Sequence, residues 1–223
     1  GAMRDLLPDL LGHVQTVGWH DDDTVLFISH EGLGSRLARI DTNGQNQSNI
    51  LPLDGPVWNE LSVADNGAIA LLADTPENPT EVYRLNPGDS EPARLTDSNP
   101  WLEDVELARQ EPVTYEARDG LKIEGLLIYP LGYEHGARHP LILTVHGGPE
   151  AHYSNGWLTS YSRPAQTAAA EGYFVFYPNY RGSTGRGVEF AMLSQGRYAK
   201  EEFDDLVDGV DHLIEQGLVD GEK

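Results

Sequence analysis

The chain has no cysteine, and among its 223 residues only Lys122, Lys200 and Lys223 are lysines. The first absence excludes disulfides and thiolate chemistry and leaves the compartment open, with the cytoplasm favoured. Fifteen Lys and Arg stand against 36 Asp and Glu, a formal net charge of −21. Phosphate binding needs a basic stripe, so nucleic acid is excluded as a partner; charge of this size serves solubility, with a salt-adapted source or attraction of cationic peptides as the alternatives. No stretch reaches the roughly 18 apolar residues of a membrane span. His146 and His152 stand six residues apart without a third ligand, so no metal is expected. The glycine-rich stretch from Pro178 to Gly187 fits neither the dinucleotide fingerprint nor the Walker A pattern, so no cofactor is expected. Gly1-Ala2-Met3 reads as a tag-cleavage scar, with no secretory signal after it.

The first half contains a repeat. Val25–His30 is matched by Ile69–Asp74, and Ser35–Ile40 by Thr80–Leu85, each bounded by Asp, Asn, Gly or Pro. Ile50–Leu53 and Ala93–Thr96 close the two units. Four short strands at a period of about 40–45 residues is the spacing of β-propeller blades; an ordinary β-meander is the alternative. Asp21-Asp22-Asp23 reads as a solvated turn, and Trp19, Trp58 and Trp101 as blade core.

Beyond Asn99-Pro100 the pattern changes, and residues 101–112 read as a connector. Val113–Arg118 and Leu121–Tyr129 form a hairpin around Asp119-Gly120. Leu141–Val145 reads as a buried strand, Pro164–Ala170 as a helix, and Tyr173–Tyr177 as the next strand. Ala199–Gln216 is a helix with Phe203, Leu206, Val207, Val210, Leu213 and Ile214 on its inner face. Its acids, Asp204 and Asp205 among them, take the rest, and His212 reads as solvated. Strand, helix, strand, helix after an antiparallel pair indicates an α/β sheet.

The chemistry centres on His146-Gly147-Gly148-Pro149, directly after an apolar strand. Backbone N–H groups fixed in a dry site stabilise the charge that acyl transfer places on a carbonyl oxygen, and glycine lets the backbone approach the substrate. Gly147 and Gly148 are the candidate donors; His146 and Pro149 support the loop. In α/β-hydrolases the triad runs Ser, acid, His, so a histidine ahead of the nucleophile is out of order as a base. Arg181 either binds a carboxylate or pins its own loop through carbonyls. No serine here has glycine at both i−2 and i+2, so the nucleophile elbow is absent.

Asp119-Gly120, Val145-His146-Gly147-Gly148-Pro149, Asn179-Tyr180-Arg181-Gly182-Ser183-Thr184-Gly185 and Phe203-Asp204-Asp205 together resemble the prolyl oligopeptidase family of serine peptidases, in its acylaminoacyl-peptidase and dipeptidyl-peptidase-like branches. The resemblance covers about Glu111 to Lys223. It implies a mixed fold: a partial β-propeller of about two blades over residues 4–100, the 101–112 connector, and the first half of an α/β-hydrolase domain over 113–223, with sheet order 1-2-4-3 and strand 5 beyond strand 3. It also implies hydrolysis of short peptides through an acyl-enzyme. The Ser, Asp and His of the triad are expected beyond Lys223, which makes this chain alone inactive. Some members place a tyrosine in the oxyanion hole; His146 stands there in this chain, leaving the backbone N–H groups to serve. Ester hydrolysis and a non-enzymatic propeller binding module are the rival readings. Strand 141–145, without an outer neighbour, is expected to promote self-association.

Overall fold

A computed structural model of the chain describes residues 3–148 and 150–222. Two four-stranded antiparallel meanders come first. One runs through β1 (His13–Trp19), β2 (Thr24–Glu31), β3 (Gly34–Asp41) and β4 (Ser48–Leu51); the other through β5 (Val57–Val63), β6 (Ile69–Asp74), β7 (Glu81–Leu85) and β8 (Ala93–Arg94). Asp21-Asp22-Asp23 forms the exposed turn between β1 and β2. Alternate residues of the two sheets meet in one apolar cluster: Leu26, Ile28, Leu37 and Leu51 from the first, Trp58, Ile69, Leu71, Ala73 and Leu85 from the second. Such alternation is what a sheet with one covered face requires. A Cβ on Gly18 would come within 2.5 Å of the Leu61 side chain, so the sheets approach there at glycine distance.

Of the three tryptophans expected in the core, only Trp58 is there. Trp19 and Trp101 are exposed, because Trp19 ends the outer strand β1 and Trp101 lies in a 3₁₀ turn, Pro100–Asp104, within the connector.

The third sheet has the order β11-β12-β10-β9, made of β9 (Gln110–Glu116), β10 (Lys122–Ile128), β11 (Leu141–Leu143) and β12 (Phe174–Asn179). β11 and β12 are parallel and the other pairs antiparallel, the order expected for these four strands. β9 and β10 join through a turn in which Gly120 N–H bonds the Ala117 carbonyl and Gly120 takes φ +86°, a conformation cheap only for glycine. Central β12 is buried along its whole length. Val175 and Tyr177 face α1 (Ala165–Ala170), while Phe174 and Phe176 face the side covered by α3 (Glu201–Glu215). Each such side chain contributes about 1.5–3 kcal/mol on burial. A further short helix, α2 (Gly187–Ala191), was not expected.

Two expectations need correction. The strand read as 141–145 ends at Leu143 and is half-buried, with Val145 exposed. Its edge position explains this: β12 is its only ladder partner among the described residues. Just before it, His139 bridges in parallel to Val219, so the chain returns to the outer side of β11 after α3. In α3, Phe203 is 60% exposed and Asp205 is fully buried. The helix touches the sheet later, at Gly209, where a Cβ would lie 2.8 Å from the Tyr115 ring and 2.9 Å from Phe176, and Phe203 sits in the turn ahead of that contact.

The first sheet meets the α/β part at the tip of the β2–β3 hairpin. Gly32 N–H bonds the Gly185 carbonyl, and Asn155 N–H bonds the Leu33 carbonyl, each at 2.7 Å.

Candidate functional site: the glycine turn after β11

β11 hands the chain to His146, Gly147 and Gly148 beside the C-terminal end of β12. That adjacency brings the loop after β12 under the turn. The His146 ring is buried and stacks on Tyr180, centroids 4.5 Å apart and 17° from parallel. Tyr180 donates its hydroxyl proton to the His146 carbonyl at 2.6 Å. Ser183 donates to the Tyr180 carbonyl at 2.6 Å, and its oxygen lies 2.8 Å from His146 Nε2. Ser183 has one proton to give, so Nε2 carries the hydrogen in that contact. Burial holds the His146 pKa below the ordinary histidine value. Tyr153 closes the other side, edge-on to His146 at 5.3 Å, its phenol pushed up to about 12 by burial.

Above this floor both glycines are exposed. Gly148 takes φ +137°, and a Cβ there would lie 2.8 Å from the Glu150 nitrogen. Gly147 has open space around it. Among the described residues neither N–H has a partner. Pro149 lies outside the described residues. The arrangement can offer two backbone N–H groups to an anionic oxygen from a loop whose base is rigid.

Arg181 takes no part in that surface. Its Nε and Nη2 donate to the two carboxylate oxygens of Asp205 at 2.9 and 2.6 Å, its backbone N–H to the same group at 2.9 Å, and its Nη1 to Asp119 at 2.7 Å. It therefore pins its loop through carboxylates rather than carbonyls. Donating to the Asp205 carboxylate raises the Arg181 pKa further, and the Arg181 bond holds Asp119 below the usual carboxylate range. Next to this pair, Arg118 bridges Asp204 and Asp208 at the surface.

His152 lies against His30 of the first sheet, at 3.1 Å. No group of three metal-ligating side chains occurs among the described residues. His212 is not simply solvated, since it stacks on Tyr115 with centroids 6.0 Å apart. Sequence reasoning missed Tyr180 and Ser183 as the supports of His146. Their signal was available in Asn179–Ser183 following the strand that neighbours β11.

The described residues thus combine an α/β sheet, with an exposed glycine turn after its edge strand, and two packed antiparallel meanders. Residues 159–223 match the sequence profile of the prolyl oligopeptidase family. It is 33% identical over 141 residues to a protein described as the uncharacterized peptidase YuxL of Bacillus subtilis, covering 63% of this chain and 21% of the relative. Against dipeptidyl aminopeptidase BIII of Pseudoxanthomonas mexicana it is 34% identical over 148 residues, covering 64% and 21%. Among solved structures, an acylaminoacyl peptidase in complex with Z-Gly-Gly-Phe-chloromethyl ketone superposes with TM-score 0.83 at 25% identity, over 99% of this chain and 34% of that one. Acylaminoacyl peptidase of Pyrococcus horikoshii gives 0.80 at 25%, over 96% and 33%. The chain thus spans about a fifth of these curated relatives and about a third of these structures.

Proposed function

We propose that this chain is the oxyanion side of a serine peptidase that hydrolyses short peptides through an acyl-enzyme, with the Gly147 and Gly148 N–H groups binding the developing oxyanion. The observation that carries this reading is the pair of exposed glycine N–H groups, without a partner among the described residues, held on the His146–Tyr180–Ser183 floor. His146 sets the loop in place and takes no proton from a nucleophile. The two meanders are read as blades of a propeller standing over the peptide cleft, and peptide-cleaving relatives support peptides over simple esters as substrates.

In this reading the nucleophile is a serine on an elbow, and no serine of these 223 residues has that setting. A longer polypeptide containing this chain would supply it with its acid and base. The test is fluorophosphonate labelling together with turnover of peptide p-nitroanilides and p-nitrophenyl esters. The 223-residue chain is expected to give neither label nor turnover, and the longer polypeptide both, with peptides preferred. Stoichiometric labelling of a serine within the chain, or ester turnover alone by the longer one, would overturn the proposal.

A further inference from the structure

The contact at the β2–β3 tip contains two histidines that the proposed function does not use. Nδ1 of His30, near the end of β2, lies 3.1 Å from Nε2 of His152. His30 Nε2 is 2.9 Å from the Trp58 carbonyl, so that nitrogen carries a proton. His152 Nδ1 is 2.7 Å from Thr184 Oγ1, and Ser154 Oγ sits 3.1 Å from His152 Nε2 and 3.4 Å from His30 Nδ1. With both rings neutral the protons run one way: Thr184 donates to His152 Nδ1, His152 Nε2 donates to His30 Nδ1, and His30 Nε2 donates to Trp58. One added proton turns His152 Nδ1 into a donor toward Thr184 and leaves a single proton in the middle bond, which either facing nitrogen can hold. A second added proton places an N–H on both facing nitrogens and two like charges in rings 5.2 Å apart.

We propose that the His30–His152 pair is an acid-released latch between the first sheet and the two loops beside the glycine turn, residues 150–157 and 180–187. It stays closed while at most one ring is charged and opens when both are.

The surroundings offer the second proton little compensation. His13 of β1 lies 6.4 Å from His152, ring to ring, and adds like charge when protonated. Asp74 of β6, Glu150 and Arg163 line the same cavity of about 360 Å³. Asp74 is occupied by the Trp157 N–H and the Asn59 amide; burial raises its pKa, so it loses charge in the acid range where the histidines gain it. Glu150 is exposed. Glu31, next to His30 in sequence, is engaged with Ser29 and Arg36. Burial lowers both histidines, and the His30 and His13 charges take His152 further, to about 4. A base whose folded pKa is depressed contributes stability that is whole above the ordinary value of 6.5 and drains as pH falls toward the folded value.

The test is amide hydrogen exchange on this chain as a function of pH, corrected for intrinsic rates. The reporters are Gly32 and Asn155, whose N–H groups cross the contact. Between pH 6.5 and 4 their protection is expected to fall, approaching about tenfold per pH unit for each proton taken up on opening, while Leu126 and Phe176 in the third sheet keep theirs. His152→Gln retains a donor toward His30 and does not titrate, so the fall should flatten. Should that variant fail to fold, NMR titration of the unmodified histidines decides: His30 and His152 must titrate as a coupled pair, both below 6.5. Protection unchanged to pH 4, a His152→Gln profile equal to the parent's, or either histidine titrating at its ordinary value would overturn the proposal.

Discussion

Asp205 is a carboxylate taken wholly out of water, and it survives there because the guanidinium and the backbone N–H of Arg181 both donate to it. Removing one member of a buried pair leaves the other charge uncompensated, at a cost of about 3–5 kcal/mol. Asp205→Ala is therefore expected to lower urea-unfolding stability by about that much, whereas Arg118→Ala, at a surface ion pair screened by solvent, should have a much smaller effect. Equal effects would contradict the assignment of Arg181–Asp205 as the principal pin of the loop. This pairing was not legible in the sequence. Helical periodicity sorts acids to the outside, and only the fold brings Asp205 to a guanidinium 24 residues earlier. For His146 the sequence argued only against a base, from its place ahead of any nucleophile; the Tyr180 and Ser183 contacts that hold it required the β11–β12 adjacency.

At the scale of elements, helix α3 owes its seat to Gly209. In an isolated helix Gly→Ala stabilises by about 1 kcal/mol. Here the added Cβ would meet Tyr115 and Phe176 inside 3.0 Å, and overpacking of this kind costs about 1–3 kcal/mol. Gly209→Ala should therefore lower the thermal midpoint; a raised midpoint would show that the helix can lift off the sheet freely. Strand β11 poses the opposite question, because its outer edge beyond the His139–Val219 bridge is unpaired among the described residues. Light scattering at micromolar concentration is expected to show a dimer or larger species, and a monomer would contradict association through this edge. The elements themselves were largely readable. The Asp119-Gly120 hairpin, β12 and the body of α3 follow from turn chemistry and periodicity. The end of β11 at Leu143 and the exposure of Phe203 did not, since both depend on where a neighbour stops.

The whole molecule joins two packed meanders to an α/β sheet, at the tip of the β2–β3 hairpin and through Asp74 of β6. The repeat between Val25–His30 and Ile69–Asp74 announced the meanders. Their docking was invisible, because Gly32, His30 and Asp74 reach partners more than 80 residues away. This docking adjoins the turn whose backbone N–H groups, after β11, are proposed to bind an oxyanion. Gly147 offers the cleanest handle, since it has room for a side chain and so separates loss of an N–H from steric disturbance. The decisive measurement is kcat for a peptide p-nitroanilide by the longer polypeptide containing this chain, compared between Gly147→Pro and Gly147→Ala, with circular dichroism confirming that both fold. Gly147→Ala keeps the N–H and should retain near-parental kcat, while Gly147→Pro should lose about 10²–10³-fold, the effect of removing one oxyanion donor. A folded Gly147→Pro protein with undiminished kcat would contradict the account.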